Sequence, residues 1–266
     1  KWFTDHLPAG AQLTDLTSAW ATLGVWGPRA RDVLQPVTEG DLSHAAFGFA
    51  TCREVEIGGV TVLASRISYV GELGWELYVP MEQGARVWDT VWAAGQPHGM
   101  VPVGIGVYGT TGRLEKGYRA YGMELTPDYN LVEAGMTRPR VKEQPFIGKE
   151  AYLAQRERPP AAVLCTLTVD DHTSAGGQRR YMLGGEPIMS ADGERLVDET
   201  GRPSYVTSAG AGPSVGKHLL MAYLPPEQAR EGTRLAVECF GEQYPVTVAV
   251  AGATPLFDPE NSRVRS

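Results

Sequence analysis

The spacing of apolar residues changes along the chain, and the changes mark its elements. Val25-Trp26-Gly27-Pro28-Arg29-Ala30-Arg31-Asp32-Val33-Leu34 reads as strand, turn and helix. Pro28 suits a first helical turn, where its missing N–H costs nothing, and Pro36 closes the helix. Val55 and Ile57, then Gly58-Gly59, then Val60 and Val62 predict a β-hairpin, its second strand running on to Ile67 and Tyr69. Gly71-Glu72-Leu73-Gly74 predicts a turn, and Trp75 to Val79 a returning strand. Ala85, Trp88, Val91 and Trp92 recur at helical spacing and predict a core-facing helix over 82–95. A second helix over 105–118 is weakened by Gly104, Gly106, Gly109 and Gly112. Strands and helices alternate here, an α+β pattern.

After Arg156-Glu157-Arg158-Pro159-Pro160 the pattern shifts to short alternating strands: 163–169, 187–190, 205–208, 219–224, 235–240 and 245–250. Asp192-Gly193 and Gly241-Glu242 supply turns, and the polar, Gly-rich stretch 171–186 predicts a long surface loop. Many short strands at close spacing predict a barrel or sandwich. The double proline reads as a linker. The expected organisation is therefore an α+β domain over 1–158 and an all-β domain over 161–266.

Composition narrows the function. The 266 residues are 42% hydrophobic and 21% charged, an ordinary globular balance, with 32 Gly and 19 Pro favouring turns and short strands. A net charge of −7, with no basic stretch interleaved with aromatics, argues against nucleic acid as a partner. No run of 18 apolar residues predicts a membrane span, and no signal peptide is evident. Cys52, Cys165 and Cys239 are odd in number and far apart, so neither a zinc site nor a disulfide framework is indicated. A reducing, cytoplasmic setting is the expectation. His6, His44, His98, His172 and His218 form no cluster, and no metal site is assigned. Gly-x-Ser-x-Gly and the phosphate-cradling Gly-x-x-x-x-Gly-Lys-Ser/Thr are absent. Gly104-Ile105-Gly106-Val107-Tyr108-Gly109 matches a dinucleotide fingerprint in letters but lacks the parallel-strand context.

Five longer blocks carry more weight. Ser68-Tyr69-Val70-Gly71-Glu72-Leu73-Gly74-Trp75-Glu76-Leu77-Tyr78-Val79-Pro80 resembles a hairpin of the glycine-cleavage T-protein (aminomethyltransferase) family. Arg113-Leu114-Glu115-Lys116-Gly117-Tyr118-Arg119-Ala120-Tyr121-Gly122 resembles a second block of that family. Glu133-Ala134-Gly135 with Phe146-Ile147-Gly148-Lys149 follow in order, and Val206-Thr207-Ser208 with Ser214-Val215-Gly216-Lys217 resemble its C-terminal barrel signature. The wording of the second block is most similar to the folate-binding module of dimethylglycine and sarcosine dehydrogenases or oxidases. The resemblance implies an α+β folate-binding region, then an all-β barrel. Together with the start at Lys1-Trp2-Phe3 rather than Met, it sets the expectation that the chain is the C-terminal two-thirds of the module, with an N-terminal part missing and an open strand edge or apolar face exposed.

The implied cofactor is tetrahydrofolate, whose pterin edge donates hydrogen bonds that a fixed carboxylate can accept in pairs. The resemblance assigns that role to Glu76, places Tyr69 in the same pocket and sets Phe49 where an aromatic ring can stack on the cofactor. Arg113 is the retained arginine of a block that in T-proteins carries two. The folate-contacting first position is Gly109 here, so Arg113 either contacts folate or pairs with a carboxylate as framework. Glu72, at the turn, is expected to be exposed. The family's catalytic aspartate lies in a Gly-Gly-x-x-Asp-Asp segment not found here, so no catalytic residue is named. The implied activity is tetrahydrofolate-dependent one-carbon transfer from a small methylated amine. An FAD-dependent amine dehydrogenase domain or subunit is the implied partner, and FAD belongs only to that absent part. Two alternatives stay open: a non-catalytic folate-binding or assembly module, and a folate-dependent O- or S-demethylase.

Overall fold

Five antiparallel strands form the first sheet of this computed structural model, which describes residues 1–252 and 254–266. They are β1 (Trp20–Trp26), β2 (Thr38–Glu39), β3 (Cys52–Ile57), β4 (Val60–Ser65) and β5 (Gly74–Pro80), in the order β1-β5-β4-β3-β2. A one-turn helix, α1 (Trp2–Asp5), precedes them and buries nothing. The hairpin expected at Gly58-Gly59 joins β3 to β4, with φ of 57° and 78° at the two glycines. Two positive φ values match the twist of a tight hairpin, and glycine adopts them without strain. β1 lies at one edge of the sheet and, among the described residues, pairs only with β5, Val25 opposite Trp75.

Alternation puts one face of this sheet into a core. Val25, Val55, Ile57, Val60, Val62, Ala64, Trp75, Leu77 and Val79 are buried there with α2 (Ala30–Leu34) and α3 (Gly84–Gly95). Full burial of a side chain such as Leu77 contributes roughly 1.5–3 kcal/mol. Two expectations are corrected. Of the expected stripe Ala85–Trp88–Val91–Trp92, Val91 alone is buried, and the buried face of α3 is Val87, Val91 and Gly95. Trp88 is 46% exposed, and its ring stacks on that of Trp92 at 6.2 Å, so two aromatics one helical turn apart bury area against each other. And β4 ends at Ser65 instead of reaching Tyr69, because Ile67 N–H turns back onto the Ser65 carbonyl (2.9 Å). That turn buries the Arg66 guanidinium, which sits 5.2 Å above the Trp75 ring and donates to the Phe47 carbonyl (2.7 Å).

The second sheet has six antiparallel strands: β6 (Val163–Val169), β7 (Ile188–Met189), β8 (Val206–Gly212), β9 (Lys217–Leu224), β10 (Arg234–Cys239) and β11 (Glu242–Ala251). Their order is β7-β10-β11-β6-β9-β8. The two outer strands meet: Pro187 bridges Tyr205, and Ile188 N–H donates to the Ser204 carbonyl (3.0 Å). Closure into a barrel removes the open edges that a flat sheet would present. Inside lie Cys165, Leu167, Val206, Leu220, Ala222, Val237, Val246 and Val248. The outer sides of β6 and β9 are buried too. Leu164, Leu219, Met221 and Tyr223 pack with Leu114 and Ala134, which is why Leu219-Leu220-Met221-Ala222-Tyr223-Leu224 reads as an unbroken apolar run instead of alternating.

The expected second helix is broken into α4 (Ile105–Val107), a π-turn (Tyr108–Gly112) and α5 (Arg113–Glu115), as its glycines foretell. The π-turn lies hard against β8: a Cβ on Gly210 would come within 1.8 Å of the Thr110 carbonyl oxygen. Helix α6 (Lys149–Arg156) follows. By packing the chain forms two units, Lys1–Ser68 with Glu72–Pro102 and Arg263–Ser266, and Tyr69–Gly71 with Val103–Ser262. Residues 103–158 thus pack with the barrel strands; the division at 158/161 is read from the change of strand pattern and the double proline.

Candidate functional site

The face of the first sheet opposite its core carries Glu76. It is half-buried in the middle of β5, between Gly24 of β1 and Ser65 of β4. Two residues on, and so on the same face, the Tyr78 hydroxyl donates to Glu76 Oε2 at 2.7 Å. Beside it lies Trp26. A Cβ on Gly24 would be 2.2 Å from the Trp26 indole, and one on Gly74 would be 2.3 Å from it. The ring therefore lies flat over two glycines of adjacent strands, a surface that no larger residue there would permit. The Ser65 hydroxyl donates to the Cys52 sulfur (3.1 Å). Among the described hydrogen bonds, none reaches Glu76 Oε1. The arrangement is a carboxylate with one oxygen held and the other presented, next to a flat aromatic floor.

Phe49 belongs to the same unit. It is half-buried in the loop before β3, followed by Ala50 in the left-handed region (φ 62°), whose N–H donates to the Arg66 carbonyl (2.9 Å). The buried neighbour is Phe47, edge-on to Trp75 at 6.2 Å with the Arg53 guanidinium 4.2 Å above it. Glu72 differs from its expectation as an exposed turn residue. Its side chain is 21% exposed, and Oε1 pairs with Arg263 at 2.9 Å. Turn position alone set the expectation; residues 263–266, remote in sequence, pack with this unit and cover it.

Tyr69 and Arg113 belong to the second unit. Tyr69 donates to the Arg119 carbonyl (2.8 Å) and lies between Tyr108 (ring centroids 4.9 Å apart) and Tyr118 (5.8 Å). Burial raises its hydroxyl above the ordinary phenol range, the Arg113 charge opposing, so it stays protonated and a donor. Arg113 is fully buried. Its Nε donates to the Gly109 carbonyl (2.6 Å), Nη1 to Glu124 Oε2 (2.8 Å) and the Tyr118 carbonyl (3.2 Å), and Nη2 to Ser208 Oγ (2.7 Å), with the Met123 sulfur at 3.5 Å. A guanidinium has five N–H donors, and all are directed at protein atoms. Of the two readings left open for Arg113, this geometry is that of the carboxylate-paired framework residue.

Arg113 is one node of a buried polar network. Glu124 also accepts from Thr207 Oγ1 (2.8 Å), from Ser208 Oγ and from Ala120 N–H (2.8 Å). Glu115 accepts from the Ser214 N–H (2.6 Å) and the Val215 N–H (3.3 Å). Lys116 pairs with Asp258 (3.1 Å), and Glu133 with Arg202 (2.5 Å), which also pairs with Asp198 (2.7 Å). Asp198 is pushed up by burial, but hydrogen bonds from Thr200 and Arg202 outweigh that and hold its carboxyl below the usual range. The sequence blocks at 113–122, 133–135, 206–208 and 214–217 thus meet one another as scaffold. Reading the sequence missed Trp26 and Tyr78. Signals existed: Tyr78 is two residues from Glu76 on a strand, and Gly24 and Gly74 are strand glycines, which mark close approach.

The chain is similar to known proteins along its whole length. The family model described as the GCVT N-terminal domain matches residues 1–141, over half of the chain. The glycine cleavage T-protein C-terminal barrel domain matches 163–258. Mouse (Mus musculus) mitochondrial dimethylglycine dehydrogenase is 35% identical over 262 residues, which are 96% of this chain and 27% of that protein. Mouse mitochondrial sarcosine dehydrogenase is 34% identical, over 96% of this chain and 27% of its own length. The aminomethyltransferase of Shouchella clausii is 32% identical over 97% of this chain and 65% of its own. The chain thus spans less than two thirds of each of these relatives. The crystal structure of glycine cleavage system aminomethyltransferase T from Bartonella henselae superposes with a TM-score of 0.71 at 23% identity, covering 86% of this chain and 58% of that one, a likeness of fold. With both of its domain models matched in order, the chain belongs to the glycine cleavage T-protein family.

Proposed function

We propose that this chain is the folate-binding part of a tetrahydrofolate-dependent one-carbon transferase, acting on a small methylated amine of the dimethylglycine or sarcosine class. The observation that supports it most is Glu76, with Oε2 held by Tyr78 and Oε1 presented on a face floored by Trp26. This acceptor, beside a flat ring, fits a reduced pterin. Its amino and ring N–H groups are donors in one plane, and a carboxylate beside a flat apolar surface accepts them while covering the ring. Tetrahydrofolate, when bound, supplies the nucleophilic nitrogen that takes up the one-carbon unit. The protein's part at this face is to bind and orient: Glu76 sets the rotation of the pterin in its plane, and the Trp26 indole excludes water from one side.

In the same proposal the amine is oxidised elsewhere, by an FAD-dependent domain or subunit; two of the relatives are dehydrogenases of such amines by name. Isothermal titration of the intact protein with 5-formyltetrahydrofolate tests the reading. Saturable one-to-one binding is expected, and no detectable binding at ligand concentrations up to the millimolar range would end it.

A further inference from the structure

We propose that Tyr78 is a positioning residue, holding Glu76 Oε2 so that Oε1 is the oxygen offered to the donor edge of a bound pterin. The inference rests on the folate reading of Glu76 and goes beyond it, since nothing in the family resemblance or in the spacing assigned Tyr78 a role. On a strand, residues two apart share a face, and the Tyr78 hydroxyl reaches back to the Glu76 carboxylate at 2.7 Å, within the range of a charge-assisted O–H···O bond. The neighbouring positions leave this task to Tyr78. Gly24, opposite Glu76 on β1, has no side chain and lies under the Trp26 ring. Ser65, opposite on β4, gives its proton to the Cys52 sulfur at 3.1 Å. A glutamate has several rotatable bonds, and ordering them before the ligand arrives removes that entropic cost from binding. The hydroxyl also occupies one acceptor direction of Oε2, which limits the directions from which the carboxylate can take ligand donors and favours one orientation of the pterin edge.

The test is a set of dissociation constants for 5-formyltetrahydrofolate and for its counterpart lacking the pterin 2-amino group, measured on the intact wild-type protein, Tyr78→Phe, Glu76→Gln and the double variant. Tyr78→Phe keeps the ring and removes only the hydroxyl. It is expected to weaken binding of 5-formyltetrahydrofolate by about 3- to 10-fold, the usual effect of losing one supporting hydrogen bond. In the Glu76→Gln background the same change is expected to cost under about twofold, because the carboxylate that Tyr78 positions is gone, and for the analogue, which keeps only the ring N–H donor, it is expected to cost less than for 5-formyltetrahydrofolate. A purely structural role would weaken both ligands alike in both backgrounds, and that result overturns the proposal. So does unchanged affinity in Tyr78→Phe when Glu76→Gln is weakened, which leaves the folate reading of Glu76 standing. Unchanged affinity in Glu76→Gln itself removes the reading beneath it as well.

Discussion

The two units treat charge differently: the first buries the Arg66 guanidinium against a carbonyl and the Trp75 ring, and the second buries whole ion pairs. In the first, apolar residues fill one face of the β1–β5 sheet, and Glu76, Tyr78 and Trp26 stand together on the other. In the second, carboxylates and guanidinium groups are taken inside: Arg113 and Glu124 have side chains with 0% exposure, and Lys116 and Asp258 have 1% and 4%. Most of the blocks that carry the family resemblance lie in the second unit, where they bind one another. The lesson is that residues which mark a family can be held by one another. A buried charge needs every partner in place, so its neighbours are as constrained as any ligand site.

The largest test of that contrast is Glu124→Ala. It leaves the Arg113 charge buried without its carboxylate, and is expected to destabilise by about 3–5 kcal/mol, read as a loss of urea midpoint at unchanged slope. A cost below about 1 kcal/mol would show the network to be dispensable. On the other face, Glu76→Ala is expected to weaken folate binding by about 2–3 kcal/mol, roughly 30- to 150-fold, with little change in melting temperature. Glu72→Ala, which loses a pairing to a half-exposed Arg263, should leave folate affinity within about threefold and cost less than about 1 kcal/mol of stability. Equal affinity losses in the two variants would erase the distinction drawn between these carboxylates.

Gly210→Ala addresses packing in the second unit. Its Cβ would collide with the Thr110 carbonyl oxygen, a backbone atom that cannot rotate away, and a cost of about 1–3 kcal/mol in thermal or urea unfolding is expected. The smallest effect concerns acid stability. The Asp198 carboxyl is held below its ordinary value in the fold, so its contribution is full above the unfolded value of about 4 and is lost as pH falls through the lowered native value. Asp198→Asn should therefore destabilise by about 1 kcal/mol near neutral pH, and the gap to wild type should close below about pH 4. A gap that widens on acidification would mean that the Asp198 carboxyl is raised, not lowered, in the fold.

By itself the sequence determined the element types and much of their order. The Gly58-Gly59 hairpin, the strand at 163–169 and the glycine-weakened run at 105–118 were legible because turn chemistry and alternation are local properties. So was the family, since its motif blocks keep their order along the chain. The candidate carboxylate Glu76 was legible through the same resemblance. Tertiary structure alone decided the rest. Which stripe of α3 faces the core depends on the sheet against it, so Val87 and Val91 are buried while Trp88 stacks on Trp92. Whether Arg113 is paired depends on Glu124 and Ser208, 11 and 95 residues away. That Glu72 is covered depends on Arg263, 191 residues on. Periodicity reports how a segment would divide itself between water and a core. Only the folded chain supplies the partner that makes a buried charge tolerable or leaves a carboxylate oxygen presented.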